Sequence, residues 1–209
     1  MEYRTHGFRH GDYLAENVEE YSPYWQEVDH ALRSVSEEDI IGHFKANCEG
    51  DKKSISVTLN ALLKQRFVEL GWKAESPIFS EKQFVKGVRM FRLDFAKGPM
   101  SIEVAFNHGN DAPWNLLKPT LASELNHVEK AIQTDIGIII TATEDMRVVG
   151  GFDNAVGTFD KYVDFLRPMG MLLTAPLVIV GLEAPKTFHV KHVKDGSNKR
   201  GYIVRDLLV

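Results

Sequence analysis

Arg92-Leu93-Asp94-Phe95, then Ala96-Lys97-Gly98-Pro99, then Ser101-Ile102-Glu103-Val104-Ala105-Phe106-Asn107 is the stretch on which the reading of this chain turns. Met90 to Phe95 and Ser101 to Phe106 are short apolar or alternating segments, and the Gly98-Pro99 step between them is turn chemistry, so the stretch reads as a β-hairpin. Asp94 and Glu103 stand on its two arms, far enough apart in the chain for it to turn and bring the carboxylates together. Adjacent carboxylates repel. A hard divalent cation such as Mg²⁺, which takes oxygen ligands, offsets that repulsion and can activate water against a phosphodiester. Spacing alone is a weak signal, because acids on neighbouring strands are more often solvated or salt-bridged.

Working outward, Leu116 to Ile132 reads as a helix with Leu117, Leu121, Leu125, Val128 and Ile132 inward. It runs into Ile136-Gly137-Ile138-Ile139-Ile140, a strand without polar alternation and so covered on both faces, as parallel strands are. After Gly150-Gly151 come a helical Phe159 to Leu166 and a second apolar strand, Leu177 to Leu182. Upstream, Pro23 can start a helix over Tyr21 to Val35, and Ser36-Glu37-Glu38-Asp39 gives the next one a capped start before Ile40, Ile41 and Phe44. Val57 to Leu70 turns Leu59, Leu62, Leu63, Phe67 and Leu70 inward and stops at Gly71. The chain thus divides into a mainly helical part over 1–72, a core over 88–183 and a basic C-terminal tail over 184–209, within a single domain. The class is α/β, helices flanking a mixed β-sheet.

Composition sets the outer bounds. At 209 residues, 44% hydrophobic and 26% charged, the chain is one folded domain and not a disordered or low-complexity segment. No run is long and apolar enough for a membrane span, Met1 to Asp12 lacks the apolar centre of a signal peptide, and Cys48 stands alone. A cytoplasmic protein without membrane contact is expected. Net charge is −4, but residues 1–50 hold 4 Lys or Arg against 11 Asp or Glu, leaving the rest at 21 against 18. The surplus acid sits at one end, so a local basic footprint for nucleic acid is not excluded.

The hairpin resembles the metal-binding hairpin of the PD-(D/E)xK nucleases, in detail that of the Bgl-type Type II restriction endonucleases. The resemblance continues through the Leu59 to Trp72 helix and its Gly71-Trp72-Lys73 exit, the Leu116 to Val128 helix, Asp135 to Ile140 and Ala175 to Gly181. It spans Tyr21 to Pro185. It implies a restriction-endonuclease-like core that hydrolyses phosphodiesters in both strands of a short palindromic site in double-stranded DNA, as a Mg²⁺-dependent homodimer. Asp94 and Glu103 would be metal ligands, with the Val104 backbone carbonyl beside them.

The third side chain of the pattern, usually lysine and in Bgl-type enzymes glutamine, falls on Ala105, which can neither orient water nor contact phosphate. Asn107, two residues on and on the same side of the strand, is the first substitute, with His108 and Lys97 also within reach of the phosphate. Glu69 is the candidate for an upstream carboxylate. Glu124 and His127, three apart on one helix face, can approach phosphate or a partner. Base or phosphate contacts are expected from Asn110, Asn154, Lys194, Asn198, Lys199 and Arg200. The departure at Ala105 keeps open a second reading, a sequence-specific DNA-binding protein that has kept the nuclease fold and lost catalysis.

Overall fold

The computed structural model describes residues 1–85, 89–124 and 128–205. Its elements run β1 (Tyr3–Phe8), α1 (Gly11–Asn17), α2 (Ser22–Ser34), α3 (Glu37–Asn47), α4 (Ser56–Glu69), β2 (Lys73–Pro77), α5 (Lys82–Val85), β3 (Arg92–Lys97) and β4 (Met100–Val104). They continue with α6 (Ala112–Ser123), β5 (Ile136–Ala142), α7 (Glu144–Val149), α8 (Phe159–Leu166), β6 (Leu177–Leu182), β7 (Phe188–Asp195) and β8 (Asn198–Arg205). A six-stranded sheet in the order β1-β6-β5-β4-β3-β2 is flanked by helices, the mixed α/β architecture expected. β4, β5 and β6 are parallel, and the outer strands are antiparallel to their neighbours.

Apolar residues of β5 and β6 are divided between two cores, which is why neither strand alternates with polar residues. Ile136, Ile138, Ile140, Val178 and Val180 join Trp25, Leu32, Leu59, Leu63 and Phe67 under α2 to α4. Ile139, Leu177 and Ile179 join Leu116, Phe159, Tyr162 and Leu166 under α6 and α8. Local signals hold where the chemistry is specific. Ser36 and Asp39 form a reciprocal capping box at α3. Past α4, Gly71 lies in the left-handed region at φ 83°, its N–H donating to the Val68 carbonyl and that of Trp72 to the Phe67 carbonyl, a Schellman stop.

Two expectations are corrected. The helix after the hairpin starts at Ala112 and ends at Ser123, well short of Ile132. Side chains that a longer helix would have carried instead cap this one: Lys130 donates to the Leu121 carbonyl and Gln133 to the Ser123 carbonyl. The inward face is Ala112, Asn115, Leu116, Pro119 and Ala122, and includes Lys118. His127 lies outside the described residues, while the Glu124 carboxylate accepts from the Thr174 hydroxyl. The basic C-terminal segment is a second, two-stranded sheet, β7 and β8 turning at Gly196 with φ 60°. Phe188, Val190 and Ile203 enter the larger core, and Gly201 exchanges backbone hydrogen bonds with Gly50 and Lys52. Along β7, Phe188 and Val190 face the body while Lys191 and Lys194 stand in water.

Candidate active site

β3 and β4 form the hairpin around Gly98, with Phe95 opposite Ile102, so the next step outward sets Asp94 opposite Glu103. Each carboxylate is held by the backbone of the other's strand. The Val104 N–H donates to Asp94 Oδ2 at 2.7 Å, and the Asp94 N–H donates to Glu103 Oε1 at 3.3 Å. From α6 the Lys118 ammonium forms an ion pair with Glu103 and donates to the Arg92 carbonyl at 3.3 Å. Glu103 is 2% exposed. Burial pushes its carboxyl up to about 8, against the pull of the Lys118 charge and with the Asp94 charge adding to the push. Asp94 is also raised, first by burial, with its bond from Val104 and the Lys118 charge opposing.

A cavity of about 240 Å³ opens on Asp94, lined also by Asn60 and Lys64 of α4, Ala74 and Glu75 of β2, Phe95 and Val104. Glu75 is opposite Asp94 by register, because Ala74 faces Phe95 and Ser76 faces Leu93. Its φ of 52° is rare for a residue with a Cβ and breaks the pairing at that step. Glu75, Asp94 and Glu103 therefore occupy one row across three strands, and the Glu75 charge raises Asp94 further.

The residues present fit a hard divalent cation. Asp94 and Glu103 offer anionic oxygens from adjoining strands, and the Lys118 ammonium already occupies the place where compensating positive charge is required. Among the described residues no group of three His, Cys, Asp or Glu gathers closely enough to form a complete side-chain cage. Two carboxylates suffice for a hard divalent cation when water and phosphate complete its shell.

The remaining expected residues scatter. Asp94, Glu103 and Val104 come together, but Glu69 does not join them. Asn60 and Lys64 share the cavity face, and Glu69, five residues past Lys64, is turned about 140° around the helix; it bonds to Gln65 at 2.8 Å and pairs with Arg66. Asn107 is exposed, and its Oδ1 accepts from Asn115, which also donates to the Tyr162 hydroxyl at 2.8 Å. It is outside the Asp94 cavity. Lys97 is committed to structure: its ammonium donates to both Glu27 oxygens and, at 2.7 Å, to the Leu70 carbonyl at the end of α4.

His108 and Asn110 line a separate open cavity with Ala155 and Lys161. The Asn154 side chain accepts from Arg147 at 2.7 Å. Lys194, Asn198 and Lys199 are exposed at the β7–β8 turn, where Arg200 bonds to Asp195 and Asp51. Sequence reasoning missed Lys118, Glu75, Asn60 and Lys64. Asn60 and Lys64 had a readable signal, two polar residues four apart on a helix that leads to the hairpin. Lys118 had a fainter one, a lysine beside a mid-helix proline in an otherwise apolar segment.

A family model described as restriction endonuclease BglII/BglIII matches residues 3–182. Among solved structures, the chain is similar to a crystal structure of restriction endonuclease BglII complexed with a DNA 16-mer, at TM-score 0.66 and 17% identity over 99% of this chain and 100% of that one. It is also similar to free BglII, at TM-score 0.53 and 16% identity over the same shares of the two chains. No curated protein matches the sequence.

Proposed function

The chain belongs to the restriction endonuclease BglII/BglIII family, Type II site-specific deoxyribonucleases, and from that premise we propose that it cuts both strands of a short palindromic DNA site as a Mg²⁺-dependent homodimer. The observation that carries the reading is the pair Asp94 and Glu103, fixed across β3 and β4 by each other's backbone and open to a cavity on the Asp94 side.

Asp94 and Glu103 would hold the cation, with the Val104 carbonyl beside them. The bound metal supplies Lewis-acid stabilisation of the phosphoryl oxygen and makes water a better nucleophile. Everything else falls to the chain. Lys64 and Asn60, on the open side of the cavity, offer a charge and an amide to the DNA backbone. Exposed residues from the β7–β8 hairpin through Asp153, Asn154 and Ala155 to His108 and Asn110 would supply further contacts. They are joined by the His192 bond to the Gly151 carbonyl and by the backbone bridge of His108 to Val156. Two copies related by a two-fold axis would meet the two strands of a palindrome symmetrically.

Digestion of sequence-diverse duplex DNA with Mg²⁺, followed by sequencing of the ends, tests this. Recurring ends flanked by one palindrome are expected. The second reading, a DNA-binding protein without catalysis, is favoured by Ala105 alone; it predicts site-selective binding with intact DNA in every metal tried.

A further inference from the structure

We propose that Lys118, delivered by α6, is a catalytic residue of this site, its ammonium contacting the scissile phosphate. The inference deepens the nuclease reading and rests on it. Lys118 has a side chain only 11% exposed and is seated on the 2% exposed Glu103, and it also holds the Arg92 carbonyl. A buried ion pair contributes little net stability compared with well-packed apolar residues of the same size, so packing alone does not account for a lysine here. The strand itself offers nothing in its place. Ala105, two residues past Glu103, continues the ladder through its N–H to the Ile140 carbonyl at 2.8 Å, yet it contributes only a methyl group, packed with Ala112 and Leu116 of α6. The same helix that covers Ala105 brings the ammonium to the neighbouring carboxylate.

A divalent cation held by Asp94 and Glu103 would supply at Glu103 the positive charge that otherwise comes from the Lys118 ammonium. The flexible stem then carries it toward the phosphate occupying the same site, where a fixed positive charge favours the charge developing in phosphoryl transfer. In that step water oxygen bonds to phosphorus as the bond from phosphorus to the leaving sugar oxygen breaks. One water proton ends on the leaving oxygen and the other is released to solvent. Lys118 stays protonated and contributes charge and hydrogen bonds. Lys64 differs, since it is exposed on the outer side of the cavity and acts on DNA binding.

The test compares wild type, Lys118→Met, and Lys118→Met combined with Ala105→Lys, with Asp94→Ala as control. Readouts are single-turnover cleavage in Mg²⁺ of a duplex that wild type cuts, affinity for that duplex in Ca²⁺, and thermal melting. Lys118→Met is expected to lose roughly 100-fold or more in cleavage rate, to bind the duplex within about threefold of wild type, and to melt cooperatively. Ala105→Lys in that background is expected to recover at least about tenfold. Cleavage by Lys118→Met within about threefold of wild type overturns the assignment. So does joint loss of cleavage, binding and cooperative melting that Ala105→Lys leaves unrepaired, since Lys118 would then be a structural counter-ion. Wild type leaving all duplexes intact, or Asp94→Ala cutting like wild type, would instead sink the nuclease reading itself.

Discussion

Glu103 couples the stability of the metal-free protein to pH. Its folded pKa of about 8 lies above the ordinary 4.5 because burial disfavours the charged form, so the folded state keeps a proton that the unfolded chain gives up. That contribution is complete below pH 4.5 and is lost as pH rises through 8. Melting temperature without metal should therefore fall between about pH 5 and about pH 8, Glu103→Gln should flatten the fall, and Mg²⁺ should reverse it most at the alkaline end. A slope unchanged in Glu103→Gln would remove this group as the cause.

Lys97 gives a prediction of the opposite kind. Because its ammonium is spent on Glu27 and the end of α4, Lys97→Ala should cost about 1–2 kcal/mol in denaturant unfolding while leaving duplex affinity unaltered. At this scale the meeting of Asp94 and Glu103 across the hairpin was legible from the turn between them, while the role proposed for them came through the resemblance of the hairpin to the nuclease pattern, the spacing alone being a weak signal. Lys118 was hidden by the leucines around it, since the more apolar stripe through Leu117 and Leu121 drew the helix reading away from the stripe the fold buries. Glu75 was hidden by a backbone dihedral that composition does not express.

Between elements, α6 lies so close to β5 that a Cβ on Gly137 would stand 2.3 Å from Pro119 Cβ. Pro119 follows Lys118, so this contact sets the height of the ammonium over Glu103. Gly137→Ala should cost about 1–3 kcal/mol by overpacking and lower cleavage by displacing Lys118; equilibrium unfolding and single-turnover rates read the two effects separately. Elements with a strong period and a chemical stop were readable: α4 by its leucines and Gly71, α8 by its helical spacing, and β5 and β6 by their unbroken apolar runs. α6 was overextended because Leu125, Val128 and Ile132 keep the helical phase after the helix has ended at Ser123. The hairpin at 188–205 was read as a tail because its five Lys and Arg residues outnumber the three apolar residues that dock it, Phe188, Val190 and Ile203.

For the whole molecule, a chain of net charge −4 that handles DNA depends on where its cations sit. Lys194 and Lys199 face each other across the β7–β8 pair and are exposed. Replacing both with alanine should flatten the plot of log affinity against log salt by about 2 without changing the cut site, whereas an unchanged slope would place the hairpin away from the duplex.

In the proposed reading the carboxylates of one hairpin are the place where DNA is cut. Wild type and Asp94→Ala, assayed together on the same duplex for cleavage in Mg²⁺ and for binding in Ca²⁺, test that most directly. Wild type should cleave at a fixed site while Asp94→Ala binds the duplex and leaves it intact; cleavage by Asp94→Ala at the wild-type rate would place the chemistry elsewhere.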